Sequence, residues 1–129
     1  MKFNRIIYGD VHVISLNGKL IGEPETTQLH DLVELTIKEG GYKIILDLKN
    51  VEWMGSVGFG TITGCLILAR RAGGDLRLAG LNKKVVKILT ITKLNCVFQT
   101  YNTVTQGVSS YQTKADRSGL KTIKRTLSI

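Results

Sequence analysis

Residues 42–64 read YKIILDLKNVEWMGSVGFGTITG, and the fold depends on where the strand-like part of this run gives way to the helix-like part. Tyr42 to Leu48 is a compact β-branched and apolar run without clear alternation, as expected of a central strand covered on both faces. From Val57 to Arg71 the period changes, and Phe59, Ile62, Leu66 and Ala69 fall on one helical stripe. Arg70 and Arg71 suit the negative end of that helix, and Gly73-Gly74 stops it.

Working outward, Phe3 to Tyr8 and Val11 to Asn17 flank the turn signal Gly9-Asp10 and form a hairpin candidate. Pro24 between two glutamates opens a helix, in which Leu29, Leu32, Val33, Thr36 and Ile37 share one face up to Gly40-Gly41. Beyond the central run, DLRLAGL (75–81) reads as a short strand. Asn82 caps a helix carrying Val85, Val86, Ile88 and Leu89, Cys96 to Thr100 is a last short strand, and Val104 to Tyr111 is a weak terminal helix. The order β, β, α, β, α, β, α, β, α implies parallel pairing through right-handed crossovers. The expected fold class is α/β, a mixed β-sheet of about five strands with about four helices packed on it.

At 129 residues the chain is large enough to close one core without staples. Residues 1–111 are expected to form one domain. Residues 112–129 form a basic tail of little apolar content, expected to be disordered or a weak basic helix. With 43% hydrophobic and 22% charged residues the chain reads as soluble, and apolar runs such as Ile44 to Leu46 are too short to insert into a membrane. The amino-terminal residues alternate charge and apolarity and do not resemble a signal peptide.

The cysteines, Cys65 and Cys96, lack metal spacing and sit in apolar surroundings, so they read as buried free thiols of a cytosolic protein. His12, in an alternating strand, and His30, in a helix, are isolated and suggest neither metal ligation nor acid–base work. The formal charge is +8, half of it in the last seventeen residues, where Lys114, Arg117, Lys121, Lys124 and Arg125 oppose Asp116. Such a balance suits an anionic partner. A further lysine cluster, at residues 83, 84 and 87, has few aromatic residues beside it on which bases could stack, so nucleic-acid binding finds no support.

Ser56 has four possible roles. A nucleophile elbow needs glycine two residues before the serine, where Met54 stands, and no histidine and acid are evident to activate the hydroxyl. Gly55, Gly58 and Gly60 are in the wrong order for a dinucleotide fingerprint, and no GK[ST] exists for a P-loop. A helix N-cap, worth about 1 kcal/mol, and a phosphorylation site at the same helix start both stay open.

The run IILDLKNVEWMGSVGFGTI (44–62) resembles the central signature of the STAS domain of bacterial anti-anti-sigma factors. There a strand reading roughly (V/I)-(V/I)-L-D-L leads to an aspartate, small residues and G-(L)-G at a helix start. NGKLIG (17–22) is similar to the family's first loop, and residues 73–98 to its fourth strand, third helix and final strand. About residues 3 to 111 follow the pattern.

The resemblance implies a cytoplasmic, non-enzymatic module that binds an anti-sigma factor with serine kinase activity, without cofactor or small-molecule substrate. Phosphorylation would block binding and a serine phosphatase would restore it. Ser56 then matches the phosphoacceptor, Val57 the residue after it, and Gly58 and Gly60 the glycines of the motif. Gly55 and Ile21 stand where the family has aspartates lining the same surface, which implies altered kinase recognition with the docking role kept. Partner contact is assigned on this basis to Ile21, Gly55, Ser56, Val57, Gly58 and Thr61. Val57, Thr61 and Leu68 also lie off the core stripe of their helix. The two missing acids support an alternative, a constitutive STAS scaffold in a signalling assembly or transporter complex. The basic tail supports a third, an anion or nucleic-acid binder.

Overall fold

A computed structural model describes residues 1–93 and 97–112, together with the backbone of residues 124–127. The elements are β1 (Lys2–Tyr8), β2 (Val11–Leu20), α1 (Glu25–Lys38), β3 (Lys43–Met54), α2 (Ser56–Arg71), β4 (Asp75–Ala79), α3 (Lys83–Ile91), β5 (Thr100–Tyr101), α4 (Val104–Tyr111) and β6 (Lys124–Leu127). They build one sheet in the order β5-β4-β3-β2-β1-β6. β1 and β2 pair antiparallel, as the turn signal at Gly9-Asp10 predicts, and β2, β3, β4 and β5 run parallel. The mixed α/β architecture expected from the sequence is the one observed.

β3 lies at the centre because both of its faces are apolar. Ile44, Leu46 and Leu48 point into the larger core with Leu29, Leu32 and Val33 of α1, Phe59, Ile62, Leu66 and Ala69 of α2, and Val85 and Leu89 of α3. Ile45 points the other way, into a smaller core with Val11, Val13, Ala79 and Val108 of α4. This two-sided burial explains the missing alternation of residues 44–48, all of them buried. At about 25 cal/mol per Å² of apolar surface withdrawn from water, these two layers provide the main drive for folding.

Polar anchors fix the layers. Arg5 of β1, 5% exposed, donates to Thr36 Oγ1 at 2.8 Å and to Glu39 Oε2 at 2.8 Å, tying the hairpin to α1. On the opposite face, Tyr111 donates its hydroxyl to the Ile44 carbonyl at 2.9 Å, and Arg77 stacks over the Tyr111 ring at 3.9 Å.

Several boundaries differ from the sequence reading. β3 continues to Met54 instead of stopping at Leu48, because β2 also extends, to Leu20, and the two pair through to Leu20↔Met54 across register shifts after Ser15 and Gly18. Asp47 supports the first shift, accepting from Ser15 Oγ at 3.3 Å and from the Lys49 backbone N–H at 3.2 Å. Pro24 sits at the cap of α1, one residue ahead of the helix it was expected to open. The last expected strand starts at Thr100, not Cys96, which lies outside the described residues. Within the tail, Lys124–Leu127 pairs antiparallel with Arg5–Tyr8 as β6. Residues 113–123 lie outside the described residues.

Candidate functional site

The carboxyl ends of parallel strands are where α/β sheets gather their sites, and β2 and β3 end together. Met54, the last residue of β3, pairs with Leu20, the last of β2, and the Gly55 N–H donates to the Leu20 carbonyl at 3.2 Å. Ile21 and Gly55 therefore leave two adjacent strands at the same level, so the two positions without acids, which belong to separate motifs in the sequence, come together in space.

Gly55 is extended, at φ −91° and ψ 179°, and the first bond of α2 runs from the Phe59 N–H to the Gly55 carbonyl at 3.1 Å. The cap of α2 is thus Gly55, with no side chain to close the helix, and Ser56 is the first helical residue. The N-cap reading of Ser56 is corrected by one position. β3 stays paired up to Met54 and leaves only Gly55 to turn the chain. Ser56 is exposed, and among the described residues its hydroxyl has no hydrogen-bond partner. The N–H groups of Ser56, Val57 and Gly58 precede the first intrahelical bond, which leaves a positive dipole end around that hydroxyl. No acidic side chain lies in the first turn of α2.

The other assigned residues divide between surface and floor. Val57 is 58% exposed and Ile21 52%, so both present apolar surface to solvent at the helix start and the loop. Thr61 is partly exposed and bonds back to the Val57 carbonyl at 2.9 Å. Gly58, by contrast, is buried, and a Cβ there would lie 2.4 Å from the Leu20 carbonyl oxygen. It lets α2 approach the end of β2 and shapes the site from beneath. Gly55 and Gly60 have open space around a Cβ position. Leu68 is half-buried.

Two grooves flank the outer ridge of α2. One, of about 700 Å³, lies between α2 and α3 and is bounded by Trp53, Gly55, Ser56, Gly60, Ile67 and Ile88. The second, of about 520 Å³, lies between α1 and α2 beside Thr27, His30, Val57 and Thr61. Trp53, 48% exposed, and Ile67, 47% exposed, extend the apolar surface beyond what the motif indicated. A signal for both was present: Trp53 alternates with the buried Met54, and Ile67 continues the Gly60, Thr63, Gly64 stripe opposite the core face. Cys65 faces the core, where burial pushes its thiol up to about 12, so it is protonated and unreactive. Among the described residues no group of His, Cys, Asp and Glu side chains is arranged to hold a metal ion, and no helix is long and apolar enough to cross a membrane.

The arrangement is similar to known proteins in sequence and in shape. Residues 2–107 match the STAS domain. A Thermotoga neapolitana protein, named a candidate anti-sigma factor antagonist and TM1081 homolog, is 30% identical over 76 residues, spanning 59% of this chain and 67% of that one. The anti-sigma-B factor antagonist of Bacillus subtilis is 31% identical over 58 residues, spanning 45% of this chain and 53% of that one. A crystal structure of a candidate anti-sigma factor antagonist from Thermotoga maritima superposes with a TM-score of 0.77 at 27% identity, over 84% of this chain and 92% of that one. The Bacillus cell fate determinant SpoIIAA in its phosphorylated form shares the fold, with a TM-score of 0.68 at 18% identity over 86% of this chain and 100% of that one.

Proposed function

This chain belongs to the STAS domain family, and from that premise we propose that it is an anti-sigma factor antagonist whose docking face is centred on Ser56. Its partner is an anti-sigma factor with serine kinase activity, which transfers the γ-phosphoryl group of ATP to Ser56 Oγ and thereby releases itself. A serine phosphatase reverses the step. The antagonist is itself non-enzymatic, needs no cofactor and acts in the cytoplasm.

The observation that carries this reading is the exposed hydroxyl of Ser56, without a hydrogen-bond partner among the described residues, at the first position of α2 beside an apolar groove. A partner lying on Val57, Trp53 and Ile67 would withdraw their surface from water. A phosphate on Ser56 adds roughly two negative charges at the rim of that contact. The helix dipole and free N–H groups accommodate it in the unbound protein, whereas docking would have to desolvate it, at a cost of several kcal/mol. The switch therefore acts on binding and not on the fold.

The test incubates the protein with ATP and an anti-sigma factor of the serine kinase class from the same organism, with mass-spectrometric mapping, followed by calorimetric binding. Ser56 is expected to be the modified residue. Ser56→Ala should bind as the wild type does and accept no phosphate, and Ser56→Asp should bind about tenfold more weakly or worse. Phosphate on another residue, or equal affinity of the wild type and Ser56→Asp, sinks the switch. A second reading, a constitutive scaffold, draws on the adjacent Gly55 and Ile21, neither of which carries a charge. It is favoured if the partner binds but modifies nothing.

A further inference from the structure

A cavity of about 880 Å³ opens at the end of the sheet that carries the Ser56 face, where the start of β1, the ends of β2 and β3 and the first turn of α3 meet. Among the described residues Lys2, Lys49, Lys83 and Lys84 line it against a single acidic side chain, Glu52. Among the described residues Lys2, Lys83 and Lys84 form no ion pair, and Lys49 reaches Asp47 only at 3.9 Å. These four come from three separate segments of the chain, so no run in the sequence announces the cluster.

The placement of two of them is costly. Lys83 and Lys84 are the first two residues of α3, where the positive end of the helix dipole disfavours cations, and that first turn contains no acid. A local electrostatic preference broken without a compensating partner marks a position shaped by something other than folding. The side chains of Asn17 and Asn50, opposite each other in the β2/β3 ladder, add amide groups to the same cavity.

We infer that this cleft is a second docking point, taking an acidic segment of the protein that covers the Ser56 face. The identity of that protein rests on the function proposed above; the chemistry of the segment rests on the cleft. Continuity supports a single occupant. α3 sends Lys83 and Lys84 to the cleft and Ile88 to the apolar groove, and the end of β3 sends Glu52 to the cleft and Trp53 to the groove. A second copy of a chain of charge +8 is repelled from the cleft, and so is the basic tail of this one. The partner's contact surface is therefore apolar at its centre and acidic at one side.

The experiment titrates the full chain with an octaglutamate peptide and follows backbone amide shifts by NMR. In parallel arms the probe is tripolyphosphate or single-stranded DNA. The expected result is that the peptide moves amides at 49–52 and 82–84, and that Lys83→Glu/Lys84→Glu weakens it about tenfold at low salt. That difference should close near 0.5 M salt. Glutamates suit the first turn of α3, so the variant keeps its fold. Shifts confined to residues 113–129, an unaffected double variant, or shifts at the cleft with tripolyphosphate or DNA but none with peptide each overturn the inference. The same variant is then measured against the anti-sigma factor. If Ser56→Asp weakens that complex and the lysine variant does not, the cleft inference falls alone. If no anti-sigma factor binds while the peptide maps to the cleft, the proposed function falls and the cleft is supported as a site for another acidic partner.

Discussion

α2 and α3 both begin at the carboxyl end of a parallel strand, yet they begin in opposite ways. Asn82 closes the start of α3 from both sides, accepting from the Val85 N–H at 2.9 Å and donating to the Val51 carbonyl at 2.9 Å. Gly55 closes nothing with a side chain. α2 is held from below, by the Gly55 N–H on Leu20 and by the close approach that Gly58 allows. The first arrangement uses its polar atoms for stability. The second leaves a hydroxyl and a set of N–H groups facing outward, as a surface presented to another molecule requires.

The contrast can be broken most forcefully at Gly58. Gly58→Ala places a methyl group 2.4 Å from a backbone oxygen that cannot swing aside, and should cost roughly 1–3 kcal/mol despite the better helix propensity of alanine. Urea unfolding would show this as a lower midpoint at constant slope, and an unchanged midpoint would mean that α2 is not held from beneath. Asn82→Ala should cost about 1–2 kcal/mol in the same assay, since it removes a cap and leaves the Val51 carbonyl without its donor.

Smaller effects sharpen the comparison. Gly55→Asp supplies the missing cap where there is open space, and should stabilise the protein by a few tenths of a kcal/mol. It also restores the acid that the STAS signature has at this place, so faster phosphorylation of Ser56 by the cognate kinase is expected alongside. Ser56→Ala should stay within about 0.5 kcal/mol of the wild type, as an exposed substitution away from a cap. A loss near 1 kcal/mol would show that the serine caps the helix after all.

Much of this was legible in the sequence wherever the signal was local. The stripe Phe59, Ile62, Leu66 and Ala69 is buried as its period requires, and Asn82 is the cap its residue type suggested. Ser56 was misplaced by one residue because capping depends on where a strand releases the chain. The polar stretch Lys49 to Trp53 does not look like a strand. It is held as one by the ladder to β2, whose own extension past Asn17 is equally unmarked. Ile21 and Gly55 could be matched from the sequence to the first loop and the central signature of the family, but their direct neighbourhood follows from the Leu20↔Met54 register.

The sequence by itself determined the order of elements, the parallel core and a serine framed by glycines at a strand-to-helix junction, because periodicity and turn chemistry act over a few residues. Only the tertiary structure decided that the serine's hydroxyl is exposed and unpartnered among the described residues, that Trp53 and Ile67 lie beside it, and that lysines from β1, β3 and α3 share one cleft. Those relations are set by strand register and helix packing between residues far apart in the chain, and no local pattern encodes them.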